Sequence, residues 1–278
     1  MTATVADILS EATRRLAPVT DTPRLDAELL LAHAMKIPRA FLLARLRDSF
    51  DVPDFEPLLS RRLAYEPLAY IFGEWEFFGL SMLVAPPLLT PRPETEHLVE
   101  RALSFLAVQP APCVVVDTCC GTGCVAVSVA HAAPGHRFYA SDIRPDAVEI
   151  ARRNATRHKV DVCCIQGDLL APFTGPVDMV TANPPYVPDG EWVDLSPVIT
   201  RHEDPGALLA GRDGLDIIRR LLPEAARCLR PGGMLALEIG ESQYDTVETL
   251  FQANGFDAVR CDHDLAGIKR IISGVRPF

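Results

Sequence analysis

The run 113-CVVVDTCCGTGCVAVSVAHAA-133 sets a short apolar stretch ahead of an aspartate, a glycine-bearing turn and a second apolar stretch of helical length. An uninterrupted apolar run of this kind fits a strand buried on both faces. Gly121 and Gly123 then let the backbone turn sharply into a helix. The same unit recurs downstream. A strand at 137-RFYASDI-143 leads into the helix 144-RPDAVEIARRNATRH-158, and further strands follow at 161-DVCCIQGDLL-170, 176-PVDMVTANPP-185 and 234-MLALEIGE-241. Alternating short strands and helices predict a parallel sheet covered on both faces. The last two strands, 255-GFDAVRCDHD-264 and 266-AGIKRIISGVR-276, are separated by too short a connection for a parallel crossover, so they pair antiparallel. The expectation is an α/β fold: a seven-stranded, mostly parallel sheet with one reversed strand at its end.

Upstream the pattern changes. Val5, Ile8, Leu9, Ala12 and Leu16 repeat at helical spacing before Pro18. A second helix opens at Thr22-Pro23, and 55-FEPLLSRRLAY-65 gives a third. Residues 1–65 therefore read as a helical bundle without a chemical constellation of its own. The stretch 68–90 alternates aromatics and glycine, as a hairpin linking two regions does. Trp75, Phe77 and Phe78 fit its packed core better than a substrate-facing edge. A helix then starts at 91-PRPETEHLVERALSFLA-107, and Arg92 beside its start pairs with an acid or contacts a ligand.

Composition excludes several classes. The 278 residues are 48% apolar and 23% charged, which suits one large or two modest globular domains. No apolar run approaches the ~20 residues of a membrane span. The N-terminus lacks the order of a secretory signal, so the cytoplasm is the expected location. A net charge of −10 disfavours a stable nucleic-acid partner. Eight cysteines in such a chain read as reduced thiols, and adjacent pairs such as Cys119-Cys120 chelate poorly, so no metal site is expected.

Ligands of open α/β sheets bind beyond the carboxyl ends of the strands. Those ends carry, in turn, Asp117 with Gly121-Thr122-Gly123, then Asp142, Asp168, and Asn183-Pro184-Pro185-Tyr186. Asp142 stands 25 positions after Asp117, near the ~20-residue offset of a ribose-binding carboxylate. The first turn is not G-x-G-x-x-G, and no P-loop occurs, so a nucleoside without phosphates fits better than NAD or ATP. S-adenosylmethionine is such a ligand. The two prolines stop the fourth strand and hold Asn183, the Pro184 carbonyl and Tyr186 in fixed relation.

These segments together resemble the HemK/PrmC protein-(glutamine-N5) methyltransferases, which modify the glutamine of the Gly-Gly-Gln loop in peptide chain release factors. The resemblance rests on 66-EPLAYIFGEWEFFGL-80, 88-LLTPRPETEHLVE-100, the NPPY tetrapeptide, 202-HEDPGALLAGRDGLDIIRRLL-222, 229-LRPGGMLALEIGESQ-243 and 264-DLAGIKRII-272. It implies a Rossmann-like S-adenosylmethionine-dependent catalytic domain at 91–278. It further implies a hairpin linker at 66–90 and a helical substrate-recognition domain at 1–65. It also implies that Asp117, Thr118, Cys119, Cys120, Gly121, Gly123, Asp142, Asp168, Leu169 and Asn183 hold the cofactor. Asn183, Pro184, Pro185 and Tyr186 bind the substrate amide, with Asn183, Pro184 and Tyr186 catalytic. Two departures stand out: Cys119 replaces the first glycine usual in the family's cofactor turn, and the loop after NPPY reads His202-Glu203-Asp204-Pro205-Gly206-Ala207-Leu208. The competing readings are a relative acting on a small molecule or another protein nitrogen, an adenine methyltransferase, and a non-catalytic binder.

Overall fold

The computed structural model describes residues 3–264 and 266–278. Leu265, within the stretch 264–272, and the first two residues of the N-terminal stretch lie outside the described residues. The chain divides into two units, one running to Gly73 and including Ser196–His202, the other comprising Glu74–Leu195 and Glu203–Phe278.

The first unit contains α1 (Val5–Leu16), α2 (Pro23–Met35), α3 (Arg39–Leu43), α4 (Phe55–Leu63) and α5 (Leu68–Phe72). A capping box starts α1: Thr4 accepts the Asp7 N–H through its hydroxyl, and the Asp7 carboxylate accepts the Thr4 N–H. Val5, Leu9, Ala12 and Leu16 form its buried stripe and pack with Leu30, Leu31, Leu42 and Leu59. Inside this unit Arg62 pairs with Asp26 at 2.7 Å, both almost wholly buried.

The second unit begins with a hairpin, β1 (Glu74–Phe77) and β2 (Leu80–Leu83), paired antiparallel. Phe77 and Met82 carry it into the core beneath. The sheet proper consists of β3 (Val114–Thr118), β4 (Arg137–Asp142), β5 (Val162–Gln166), β6 (Val177–Ala182), β7 (Leu229–Glu238), β8 (Asp257–His263) and β9 (Lys269–Val275). Its order is β5-β4-β3-β6-β7-β9-β8. The pairs β4–β5, β3–β4, β3–β6 and β6–β7 are parallel, while β9 is antiparallel to both β7 and β8. The reversed strand therefore lies one place in from the edge, slotted between β7 and β8. The Asp264 N–H donates to the Ile268 carbonyl at 2.8 Å between β8 and β9.

Helices cover both faces, as the apolar strands require. On one side α6 (Glu96–Leu106), α7 (Cys124–Ala132) and α8 (Pro145–His158) pack on Val115, Ala140, Met179 and Ala236. On the other, α10 (Asp216–Cys228) and α11 (Tyr244–Ala253) pack on Val116, Val180, Leu235 and Leu237. The remaining short helix, α9 (Pro197–Thr200), belongs to the first unit. Among the described residues no helix is long and apolar enough to cross a membrane.

Two buried residues set the geometry of the turn after β3. Asn154 of α8, fully buried, donates to the carbonyls of Thr122 and Leu83 and accepts the Leu83 N–H, tying turn, helix and hairpin together. Gly123 has φ +75°, and a Cβ there would lie 2.7 Å from the Ala151 Cβ. Gly123→Ala combines left-handed strain with overpacking and should destabilise the protein by about 1–3 kcal/mol. Urea unfolding with an unchanged slope would show this; equal midpoints would contradict it.

Candidate active site

The strand order reverses direction between β3 and β6, which places the end of β3 beside the end of β6. Asp117, next to last in β3, is buried. It accepts the Thr181 hydroxyl at 2.8 Å with one oxygen and the Ala126 N–H, in the first turn of α7, at 3.3 Å with the other. Burial pushes its pKa up to about 7 despite those two donors, and the nearby Asp142 carboxylate adds to the rise. Thr118, the last residue of β3, keeps its side chain buried beneath the turn. Cys119 then adopts φ +55°, the left-handed conformation that glycine enters without strain. The thiol at this position therefore does not change the path of the turn. Cys120 anchors it by donating its N–H to the Ser141 carbonyl.

Asp142 ends β4. One of its oxygens accepts the Gly121 N–H at 2.9 Å and the other the Arg144 N–H at 3.0 Å. Burial raises its pKa against the pull of these two donors. The thiols beside it are chemically quiet. Burial, reinforced by Asp142 and Asp117, raises Cys119 and Cys120 far above the ordinary thiol range, and burial pushes Cys124 up to about 12. All three stay protonated and are poor nucleophiles.

Beyond β6 comes Asn183. Its Nδ2 donates to the Thr95 Oγ1 at 3.1 Å, and that hydroxyl donates to Glu238 Oε2 at 2.6 Å. Tyr186 donates its phenol to the other Glu238 oxygen at 3.2 Å, while its carbonyl accepts from Gln243 at 2.8 Å. Burial and the Glu238 carboxylate push the Tyr186 pKa well above its ordinary range, so the phenol keeps its proton. Burial also raises Glu238, opposed by the Thr95 and Tyr186 donors.

These strand ends surround a cavity of ≈ 270 Å³. Asp117, Cys119, Cys120, Gly121, Asp142, Asp168, Leu169, Asn183 and Pro185 line it, as the strand-end reading anticipates. Thr118, Gly123, Pro184 and Tyr186 are not in its lining. Asp168 lines the cavity with its carboxylate already paired to Arg220 at 2.6 Å, about half exposed.

Several contributors were invisible to local pattern. Ile143, exposed and apolar, borders the cavity next to Asp142. Arg92 and Thr90 converge on the fully buried Glu203 carboxylate, with Arg92 Nη2 at 2.9 and 2.7 Å from its two oxygens. Arg144 pairs with Asp204. Arg92 thus has an acid as its partner, one that lies in the loop after NPPY. Glu238 had a signal of its own: it ends β7, and the strand-end rule that picked out Asn183 applies to it equally.

Comparison with known proteins places this geometry. Residues 7–73 match the family described as PrmC N-terminal domain, and residues 101–196 the methyltransferase small domain. The release factor glutamine methyltransferase of Moorella thermoacetica is 43% identical over 262 residues, covering 91% of this chain and 91% of its own. Its namesake from Nitratidesulfovibrio vulgaris is 38% identical, over 97% of this chain and 94% of its own. Among solved structures, the T. thermophilus 16S rRNA N2 G1207 methyltransferase in complex with AdoMet and guanosine gives a TM-score of 0.53 at 16% identity. It covers 73% of this chain and 49% of its own, and the likeness is one of fold.

Proposed function

Since the chain belongs to the release factor glutamine methyltransferases, we propose that it transfers a methyl group from S-adenosylmethionine to the side-chain amide nitrogen of the Gly-Gly-Gln glutamine in peptide chain release factors. It is a methyltransferase. The observation that carries the reading is the state of Asn183. It lines the cavity, and its Nδ2 is committed to Thr95, so its Oδ1 remains as an acceptor for an N–H group.

The cavity's residues fit S-adenosylmethionine. Asp142 is a half-buried carboxylate suited to ribose hydroxyls, Ile143 and Leu169 are apolar surfaces for a base, and Gly121 faces open space where a Cβ would meet nothing within 4 Å. When bound, the cofactor supplies a methyl group on a positively charged sulfur. The protein's work lies elsewhere. An amide nitrogen is a poor nucleophile because its lone pair is delocalised into the carbonyl. Asn183 Oδ1 and the Pro184 carbonyl accept its two N–H groups, and the Tyr186 ring packs on the amide plane. Held so, the nitrogen is oriented, and the two acceptors favour the positive charge that grows on it. The N-alkylated amide then loses its proton readily, so no general base is needed before transfer. The helical unit, without reactive groups of its own, serves recognition of the protein substrate.

Asp142→Ala should weaken S-adenosylmethionine and S-adenosylhomocysteine binding by ~1.5–3 kcal/mol, the range for a charge-assisted hydrogen bond. Titration calorimetry reads this directly, and an unchanged affinity would mean the ribose is held elsewhere. Substrate class is tested by label transfer from methyl-labelled cofactor to release factor, to a release factor with that glutamine changed to alanine, and to duplex DNA. Label on the first alone is the expected outcome; label on DNA, or equal labelling of both proteins, would overturn the proposal.

A further inference from the structure

We propose that Glu238, acting through Thr95, is the positioning residue that makes this site select an amide and reject a carboxylate. The inference rests on the reading of Asn183 as the group that holds the substrate amide.

An asparagine side chain has two ends of opposite character, and a half-turn about its last bond exchanges them. Only one orientation presents Oδ1 to an incoming N–H. The other presents Nδ2, a donor, which suits a carboxylate instead. Asn183 must therefore be held one way round. Thr95 Oγ1, 3.1 Å from Nδ2, has one proton and lone pairs to spare. Where that proton goes decides which end of Asn183 it can face.

Glu238 decides it. The carboxylate is 2% exposed, at the end of β7, and Thr95 Oγ1 lies 2.6 Å from its Oε2. Both Glu238 oxygens accept, one from Thr95 and the other from Tyr186, so the Thr95 proton points at Glu238 and its lone pairs face Asn183. Thr95 is itself 3% exposed and lines the cavity beside Asn183. Flipping Asn183 would then set Oδ1 against the Oγ1 lone pairs with no proton between them, two acceptors facing each other. Tyr186 completes the arrangement by donating to the second Glu238 oxygen, so both hydroxyls spend their protons on the same group. The four side chains come from the 3-10 turn ahead of α6, the end of β7 and the NPPY turn, and no local sequence pattern links the three segments.

The chemical consequence is substrate selection. A glutamine offers two N–H groups to Asn183 Oδ1 and the Pro184 carbonyl. A glutamate offers only oxygens and meets two acceptors. Thr95→Val removes the lock with little change of shape, freeing Asn183 to turn its Nδ2 toward the substrate.

The test measures binding of release factor and of its Gln→Glu variant to the full-length enzyme with S-adenosylhomocysteine present, beside turnover on the former. Wild type should prefer the glutamine form by about tenfold or more, and Thr95→Val should bring the two within about threefold while turnover falls about 10- to 100-fold. Cofactor affinity should stay near wild type, and Thr95→Ser, which restores a hydroxyl, should restore the preference. Glu238→Gln, equal in shape but able to offer Thr95 either a donor or an acceptor, should give an intermediate preference. Lost turnover with the preference intact in Thr95→Val would mean the contact is merely structural and would overturn the proposal. An unchanged preference in Glu238→Gln would do the same, even if Thr95→Val failed to fold. A wild-type enzyme with no preference for the amide would overturn the reading of Asn183 itself, and this inference with it.

Discussion

Asn183→Ala lowers methyl transfer by about 10²–10³-fold, the scale for removing one preorganised hydrogen-bond partner from an active site. It leaves S-adenosylmethionine affinity within a few-fold of wild type. Asn183 contributes an acceptor beyond the end of β6, whereas the carboxylates of the cofactor side, Asp117 and Asp142, stand at the ends of β3 and β4. Deleting the amide removes one of two acceptors for the substrate N–H groups and leaves Thr95 Oγ1 without the donor it now accepts. The loss therefore falls on turnover. Single-turnover kinetics at saturating cofactor, paired with calorimetry, separate the two effects. Near wild-type turnover in the mutant would remove the proposed role.

The second large effect concerns Asp117 and pH. Its pKa in the folded, ligand-free protein is about 7 against an ordinary 3.8, because burial disfavours the charged form. Between these values the folded state binds a proton that the unfolded state has released. This contribution to stability is fully present below about pH 4, declines as pH rises, and is gone above about pH 7. A shift of roughly three units corresponds to an upper bound of about 4 kcal/mol. Asp117→Asn cannot titrate, so the difference in unfolding free energy between mutant and wild type should change by a few kcal/mol from pH 4 to pH 8, in the mutant's favour as pH rises. Glu238 and Asp142, also raised by burial, are present in both proteins and largely cancel in the difference. Parallel stability curves across this range would show that Asp117 ionises normally in the folded state.

Much of the fold was legible because strands buried on both faces leave uninterrupted apolar runs. Residues 113–116, leading through β3, are such a run, and the glycines after β3 and the prolines after β6 mark where each strand stops. The insertion of β9 between β7 and β8 was less accessible. A short connection shows that two strands pair, but not which of them reaches the parallel sheet. In 68–90 the aromatic alternation masked a helix: Leu68–Phe72 is bounded by Pro67 and by Gly73 in the left-handed conformation, helix punctuation that outweighs a period-2 reading over five residues. The site divides along the same line. Asp117, Asp142 and Asn183 were found because each stands at a strand end. Thr95 lies 88 residues from Asn183 and Glu203 lies 111 from Arg92, so only the folded chain brings them together. Asp168 shows the converse, since a strand-end position cannot reveal that its carboxylate is already paired with Arg220.

The central claim is that the acceptor pair at Asn183 and Pro184 directs one methyl group to one amide nitrogen. Fragmentation mass spectrometry of release factor, after incubation with the enzyme and methyl-labelled S-adenosylmethionine, tests it most directly. The account predicts a single label on the side-chain nitrogen of the Gly-Gly-Gln glutamine, absent when Asn183 is alanine. Label on any other residue, or on that glutamine at an undiminished rate without Asn183, would contradict it.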